Sequence, residues 1–201
     1  MKLILHRANK LDSIDIQKRK IIDGFECDIR YQNNQPVLSH DIQGSSNADN
    51  FKLFCGVYKN LDVILNFKET GDEENFILNY EKYFRSLLIL DAPFPVYEKL
   101  YKTGLGKRIM WRVSEYEKPE IECIKKFNSE WIWLDSFSNY WFSENDLKKY
   151  KDSGINICLV SNELQNRDIE YKLNKIIELN KSSLIDSICT KFPEFYINIF
   201  G

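Results

Sequence analysis

Short runs rich in Ile, Leu, Val and aromatic residues recur along the chain, separated by polar stretches in which apolar residues return at helical spacing. Runs of the first kind read as buried strands, and stretches of the second kind as amphipathic helices. Eight such runs stand out: Lys2 to Leu5, Gly24 to Arg30, Asp62 to Lys68, Leu87 to Leu90, Arg108 to Val113, Trp131 to Asp135, Ile155 to Val160 and Ile185 to Thr190. Between them, Glu73 to Phe84, Lys118 to Phe127, Glu144 to Lys151 and Asp168 to Leu179 have helical spacing. Strand and helix alternating to a count of eight predicts a parallel α/β barrel, (β/α)8 or TIM type, rather than an open doubly wound sheet. The aromatics Phe54, Tyr58 and Tyr80 to Phe84 read as helix faces packed on that barrel.

At 201 residues the chain lies near the lower size limit of this barrel, so shortened helices are expected, with Asp41 to Ala48 as a loop. Nothing marks a second domain: there is no fixed-period repeat, low-complexity tract or Pro/Gly/Ser linker, and residues 1–201 read as one unit.

Charge narrows the field of partners. With 28 basic and 30 acidic residues and a net charge of -2, the chain carries no electrostatic footprint for nucleic acid or for an anionic membrane. Met1 to Leu5 is too short for a signal peptide, and no apolar run approaches the ~20 residues that span a bilayer, so stable membrane insertion is not expected. Cys27, Cys55, Cys123, Cys158 and Cys189 form no CxxC pair, which argues against a disulfide framework and a structural zinc site and leaves a reducing cytoplasm as the expected compartment. Cys158 and Cys189 lie in apolar strands and read as packing residues.

Chemistry concentrates in the second run. The period of two places Glu26, Asp28 and Arg30 on one strand face, where two adjacent carboxylates repel each other. A divalent cation between them, Mg²⁺ or Ca²⁺, is one remedy for oxygen ligands of this kind; a solvated charged face is the other reading. The chain has two histidines, and both follow strands: His6 after Lys2 to Leu5, and His40 after Pro36 to Leu38. Histidine is the side chain best matched to proton transfer near neutral pH, so the two flanking a carboxylate pair suit a general acid and base.

The order His6-Arg7, then Gly24-Phe25-Glu26-Cys27-Asp28-Ile29-Arg30, then Pro36-Val37-Leu38-Ser39-His40-Asp41 resembles the signature of the glycerophosphodiester phosphodiesterase family. Weaker echoes follow at Leu65-Asn66-Phe67-Lys68 and Ile188-Cys189-Thr190-Lys191-Phe192-Pro193. The resemblance implies the same barrel, with His6 and His40 as the acid/base pair. It also implies Glu26 and Asp28 as metal ligands with Asn66 at the third ligand position, and Arg7 and Lys68 on phosphate. Asn66 departs from the family pattern, which has an acid there; Glu69 or Asn9 are candidate substitutes for the missing oxygen ligand. The turn Ala8-Asn9-Lys10-Leu11-Asp12-Ser13 departs as well.

Further strand ends offer Arg112, Asp135 and Glu163 for the rest of the substrate, with an Arg112 to Asp135 ion pair closing the barrel mouth as the competing reading. Trp111, Trp131, Trp133 and Trp141 read first as core and second as stacking surfaces for a sugar. The expected activity is metal-assisted hydrolysis of a small phosphodiester, a glycerophosphodiester or a related sugar or lipid diester. The alternatives are a lyase forming a cyclic phosphate, and a phosphate-binding barrel without turnover.

Overall fold

The computed structural model describes residues 1–42 and 48–200. Most of the loop expected between Asp41 and Ala48, positions 43–47, lies outside the described residues. The strands are β1 (Lys2–Leu5), β2 (Gly24–Gln32), β3 (Gln35–Leu38), β4 (Asp49–Asn50), β5 (Asp62–Phe67), β6 (Ser86–Leu90), β7 (Ile109–Val113), β8 (Trp131–Leu134), β9 (Asn156–Val160) and β10 (Ser187–Thr190). The helices are α1 (Ile16–Ile21), α2 (Phe51–Val57), α3 (Glu73–Tyr80), α4 (Phe94–Lys102), α5 (Ile121–Lys126), α6 (Glu144–Asp152), α7 (Leu173–Lys181) and α8 (Pro193–Phe200).

Eight strands pair in parallel in the order β1-β10-β9-β8-β7-β6-β5-β2, and β2 pairs back to β1, which closes the barrel. All eight correspond to the runs predicted from hydrophobic patterning, with ends displaced by at most two residues. The antiparallel β3 and β4 are an extension hung on β2, which runs on past the barrel wall to Gln32. Helices of six to nine residues replace the longer ones of larger barrels, as chain length demands. Among the described residues, no helix is long and apolar enough to cross a membrane.

Alternating strand residues build two cores. Ile4, Ile64, Leu88, Met110, Trp133, Cys158 and Cys189 fill the barrel interior. The opposite faces, with Phe25, Val63, Ile89, Trp111 and Ile157 among them, meet the helices in the outer layer. Phe25 packs edge-on against Phe54 at 5.0 Å and Phe51 lies 4.9 Å from Phe76, so the aromatic helix faces cover the barrel as their spacing predicts. Gly24 is required by close approach: a Cβ there would lie 2.4 Å from the Asp62 carbonyl oxygen on β5. At this N-terminal end Asp62 takes a bidentate pair of hydrogen bonds from Arg85, at 2.8 and 2.9 Å, and a third from Lys2. The polar strand ends on the opposite face are left to line a cavity.

Candidate active site

The C-terminal strand ends surround a cavity of about 290 Å³. It is lined by His6 and Arg7 after β1, Glu26 and Asp28 on β2, His40 after β3, and Asn66 and Lys68 from β5. Asp91, Arg112, Trp133, Asp135, Phe137 and Gln165 complete the far side. His6, Arg7, Glu26, Asp28, His40, Asn66, Lys68, Arg112 and Asp135 therefore meet at one cavity, although they span positions 6 to 135, whereas Glu163 does not line it.

Glu26 and Asp28 are 3% and 1% exposed, so the second strand's acids are not a solvated face. Protein donors hold them. Asp28 receives Lys68 Nζ at 2.9 Å on one oxygen and Asn9 Nδ2 at 2.7 Å on the other, while Arg7 Nε stands 3.6 Å away. Glu26 Oε2 accepts the Arg7 backbone N–H at 2.8 Å and lies 3.7 Å from His6 Nε2. Arg7 has a left-handed φ of 53°, an uncommon conformation for a residue with a Cβ, at the turn that delivers this N–H.

Burial, then the neighbouring Asp28, raise the Glu26 carboxyl to about 8. Burial, then the charges of Arg7 and Lys191, lower His6 to about 4. The proton at this pair thus sits on the carboxyl, and His6 is a neutral base at neutral pH. Its Nδ1 is buried without a hydrogen-bond partner among the described residues. His40 differs: its Nδ1 lies 2.8 Å from Asp41 Oδ1, its side chain is 41% exposed, and Arg30 grips its carbonyl oxygen through Nε and Nη2.

Several sequence expectations change on the far side and around Asn66. Asn9 is not a free oxygen ligand, because its Oδ1 accepts the Asp28 backbone N–H at 2.9 Å. Glu69 pairs with Arg30 at 3.3 Å and does not line the cavity, so it does not stand in for the acid absent at Asn66. Glu163 is spent on Thr190 Oγ1 and the Lys191 N–H, which brace the end of β10. Of the four tryptophans, Trp133 lines the cavity and the others do not. Arg112 does pair with Asp135, as the competing reading required, and also grips Asp91 in a fork, Nε to Oδ1 at 2.8 Å and Nη2 to Oδ2 at 2.6 Å.

Asp91, Phe137 and Gln165, with the apolar Leu90, Val160 and Leu164, are the cavity residues that sequence reasoning missed. Asp91 had a legible signal, since it directly follows the run Leu87 to Leu90 and so falls where barrel strands present functional side chains. Phe137 comes from the loop after β8 and Gln165 from a single 3-10 turn, Asn162–Gln165, after β9, where patterning carries no such information.

The fold and this cavity define a closed parallel barrel with a polar site at its C-terminal mouth. Two solved structures share the architecture. One, from Galdieria sulphuraria, is provisionally assigned as a glycerophosphodiester phosphodiesterase; it is 16% identical, with a TM-score of 0.72 over 98% of this chain and 96% of the other. The second, a glycerophosphodiester phosphodiesterase from Agrobacterium tumefaciens, is 9% identical, with a TM-score of 0.63 over 96% and 98% of the two chains. No family-level sequence pattern matches the chain, and no curated protein does.

Proposed function

We propose that this barrel is a phosphodiesterase that cleaves a glycerophosphodiester or a related small sugar or lipid phosphodiester. One observation carries the reading: the chain's only two histidines meet a buried pair of acidic side chains and the cations Arg7 and Lys68 in one cavity at the catalytic end of a barrel. The two structural neighbours support it at the level of fold.

In this reading Arg7 and Lys68 receive the phosphate, exchanging part of their hold on Asp28 for the phosphoryl oxygens. His6, neutral and partly buried, accepts the proton of the attacking hydroxyl, from water or from a neighbouring hydroxyl of the substrate. His40, kept in orientation by Asp41 and Arg30, gives a proton to the departing alkoxide. Arg112 and Asp135 face the alcohol portion.

A divalent cation, Mg²⁺ or Ca²⁺, is part of the proposal. Among the described residues no three His, Cys, Asp or Glu side chains converge as a ready cluster. The oxygen set of Glu26, Asp28 and the Asn66 amide fits such a cation nonetheless: the two acids crowd each other, and Asn66 Nδ2 points to Asp91, which leaves its Oδ1 as an acceptor. When bound, the cation would draw charge from the phosphoryl oxygens.

The test is cleavage of a panel of glycerophosphodiesters, lysophospholipids and an aryl diester, with Mg²⁺, Ca²⁺ or chelator. Activity that His6→Ala and His40→Ala each reduce by 10²-fold or more supports the assignment, on the order of what general acid or base catalysis contributes. Folded protein that binds these diesters and cleaves none of them overturns it in favour of a phosphate-binding barrel.

A further inference from the structure

The far wall of the cavity is built around a cation that has no charge to spare. Arg112 gives Nε and Nη2 to Asp91 and Nη1 to Asp135, and its guanidinium carbon lies 5.8 Å from the centre of the Phe137 ring. Both Asp135 oxygens accept hydrogen bonds, one from Arg112 and the other from the Ser136 N–H and Gln165 Nε2 at 2.8 and 2.7 Å. Burial pushes the Asp135 carboxyl up, and these three donors, Arg112 foremost, work against it and favour the ionised form. Asp91 likewise accepts on both oxygens, with Asn66 Nδ2 at 3.3 Å as an additional donor. Two carboxylates against one guanidinium leave this wall with one excess negative charge.

Asp91 stands there at a conformational cost. Its φ of 59° is left-handed, a region that aspartate tolerates better than most residues but still sparsely occupies. The geometry aims its carboxylate back across the mouth, onto the arginine and the amide of β5.

Resting on the phosphodiesterase reading above, we infer that Asp91 is a specificity-determining residue, whose surplus charge on the far wall admits a monoanionic phosphodiester and disfavours a dianionic phosphomonoester. The consequence for turnover is direct. Cleavage of a diester creates a monoester, which takes on a second negative charge above its second pKa of about 6. A wall that is net negative weakens that product's hold, so product leaves instead of occupying the site. An arginine free of Asp91 would do the reverse.

The probes are methyl phosphate and dimethyl phosphate, compared at pH 8 by ³¹P line broadening, with and without Mg²⁺. They differ by one methyl group and one charge. Wild-type protein is expected to bind dimethyl phosphate several-fold more tightly. Asp91→Asn keeps the shape and an acceptor for Arg112 but removes the charge, and is expected to move the affinity ratio toward methyl phosphate on the order of tenfold. Arg112→Gln makes the wall more negative and is expected to move the ratio the other way. Mere loss of structure weakens both probes together and cannot give opposite movements in the two variants. Wild-type preference for methyl phosphate, no binding of either probe, or a ratio unmoved in Asp91→Asn overturns the inference. If the ratio moves as expected but no diester is cleaved, charge selection stands and the hydrolase reading fails.

Discussion

His6 and Glu26 exchange the protonation expected of them, and this exchange has a measurable signature in stability. In the unfolded chain a histidine titrates near 6.5 and a glutamate near 4.5; in the folded protein His6 falls to about 4 and Glu26 rises to about 8. A depressed histidine contributes stability that is present above 6.5 and lost as pH falls toward 4, because the unfolded state binds the proton more tightly. A raised glutamate contributes stability that is present below 4.5 and lost as pH rises toward 8. Between about pH 4.5 and 6.5 the unfolded chain carries the proton on histidine and the folded protein carries it on glutamate. The two contributions to the slope cancel there.

Each contribution alone amounts to about 1.4 kcal/mol per pH unit, or about 3 kcal/mol across that window. Removing one partner therefore exposes the other. The assay is urea unfolding of wild type, His6→Asn and Glu26→Gln at half-unit steps from pH 4.5 to 8, in chelator. The stability difference between wild type and His6→Asn is expected to grow with rising pH up to 6.5, and that between wild type and Glu26→Gln to shrink steadily up to 8. Taking differences removes the many carboxylates common to all three proteins. Differences that move in the same direction, or that stay flat in both comparisons, would refute the proton placement.

Other consequences follow from single contacts. Lys68→Met strips a charge partner from Asp28, whose side chain is 2% exposed, and is expected to cost about 2–3 kcal/mol because Asn9 and Arg7 remain. In the Asp28→Asn background the same change should cost at least ~1.5 kcal/mol less, and additivity in this double-mutant cycle would show that the pair is not coupled. Gly24→Ala drives a Cβ to 2.4 Å from the Asp62 carbonyl and is expected to lose ~2 kcal/mol or more in a thermal or urea melt. A melt within about 0.5 kcal/mol of wild type would mean that β2 and β5 can separate at little cost. Arg30→Met releases the His40 carbonyl, and is expected to lower the rate of diester cleavage with little change in stability. A large drop in melting midpoint would make Arg30 a structural residue instead.

The barrel was legible because its signal is local. Each strand is a short apolar run facing two cores, and the strands ending at Leu5, Leu90, Leu134 and Thr190 keep that character whatever lies beside them. The site was legible in part because charged residues are rare within such runs; Glu26 and Asp28 stand out in a strand whose first six residues are buried. What composition could not convey is which partners satisfy them. Asn9 and Lys68 lie 19 and 40 positions from Asp28, and their contacts with it depend on how the loop after β1 and the end of β5 meet across the closed barrel.

The same limit explains Asn66, which in one dimension is a missing acid. In three dimensions its neighbour in the barrel wall is β6, where Asn66 pairs in register with Leu90, and the next residue is Asp91. The negative charge is not absent from this part of the mouth. It stands one strand further round, where its hydrogen bonds go to Arg112 and to the Asn66 amide. A substitution read along one strand is thus answered by a residue on the next, because barrel closure makes neighbours of strand ends that the chain separates by a helix. Charge at the mouth is a property of the ring of strand ends rather than of any one motif.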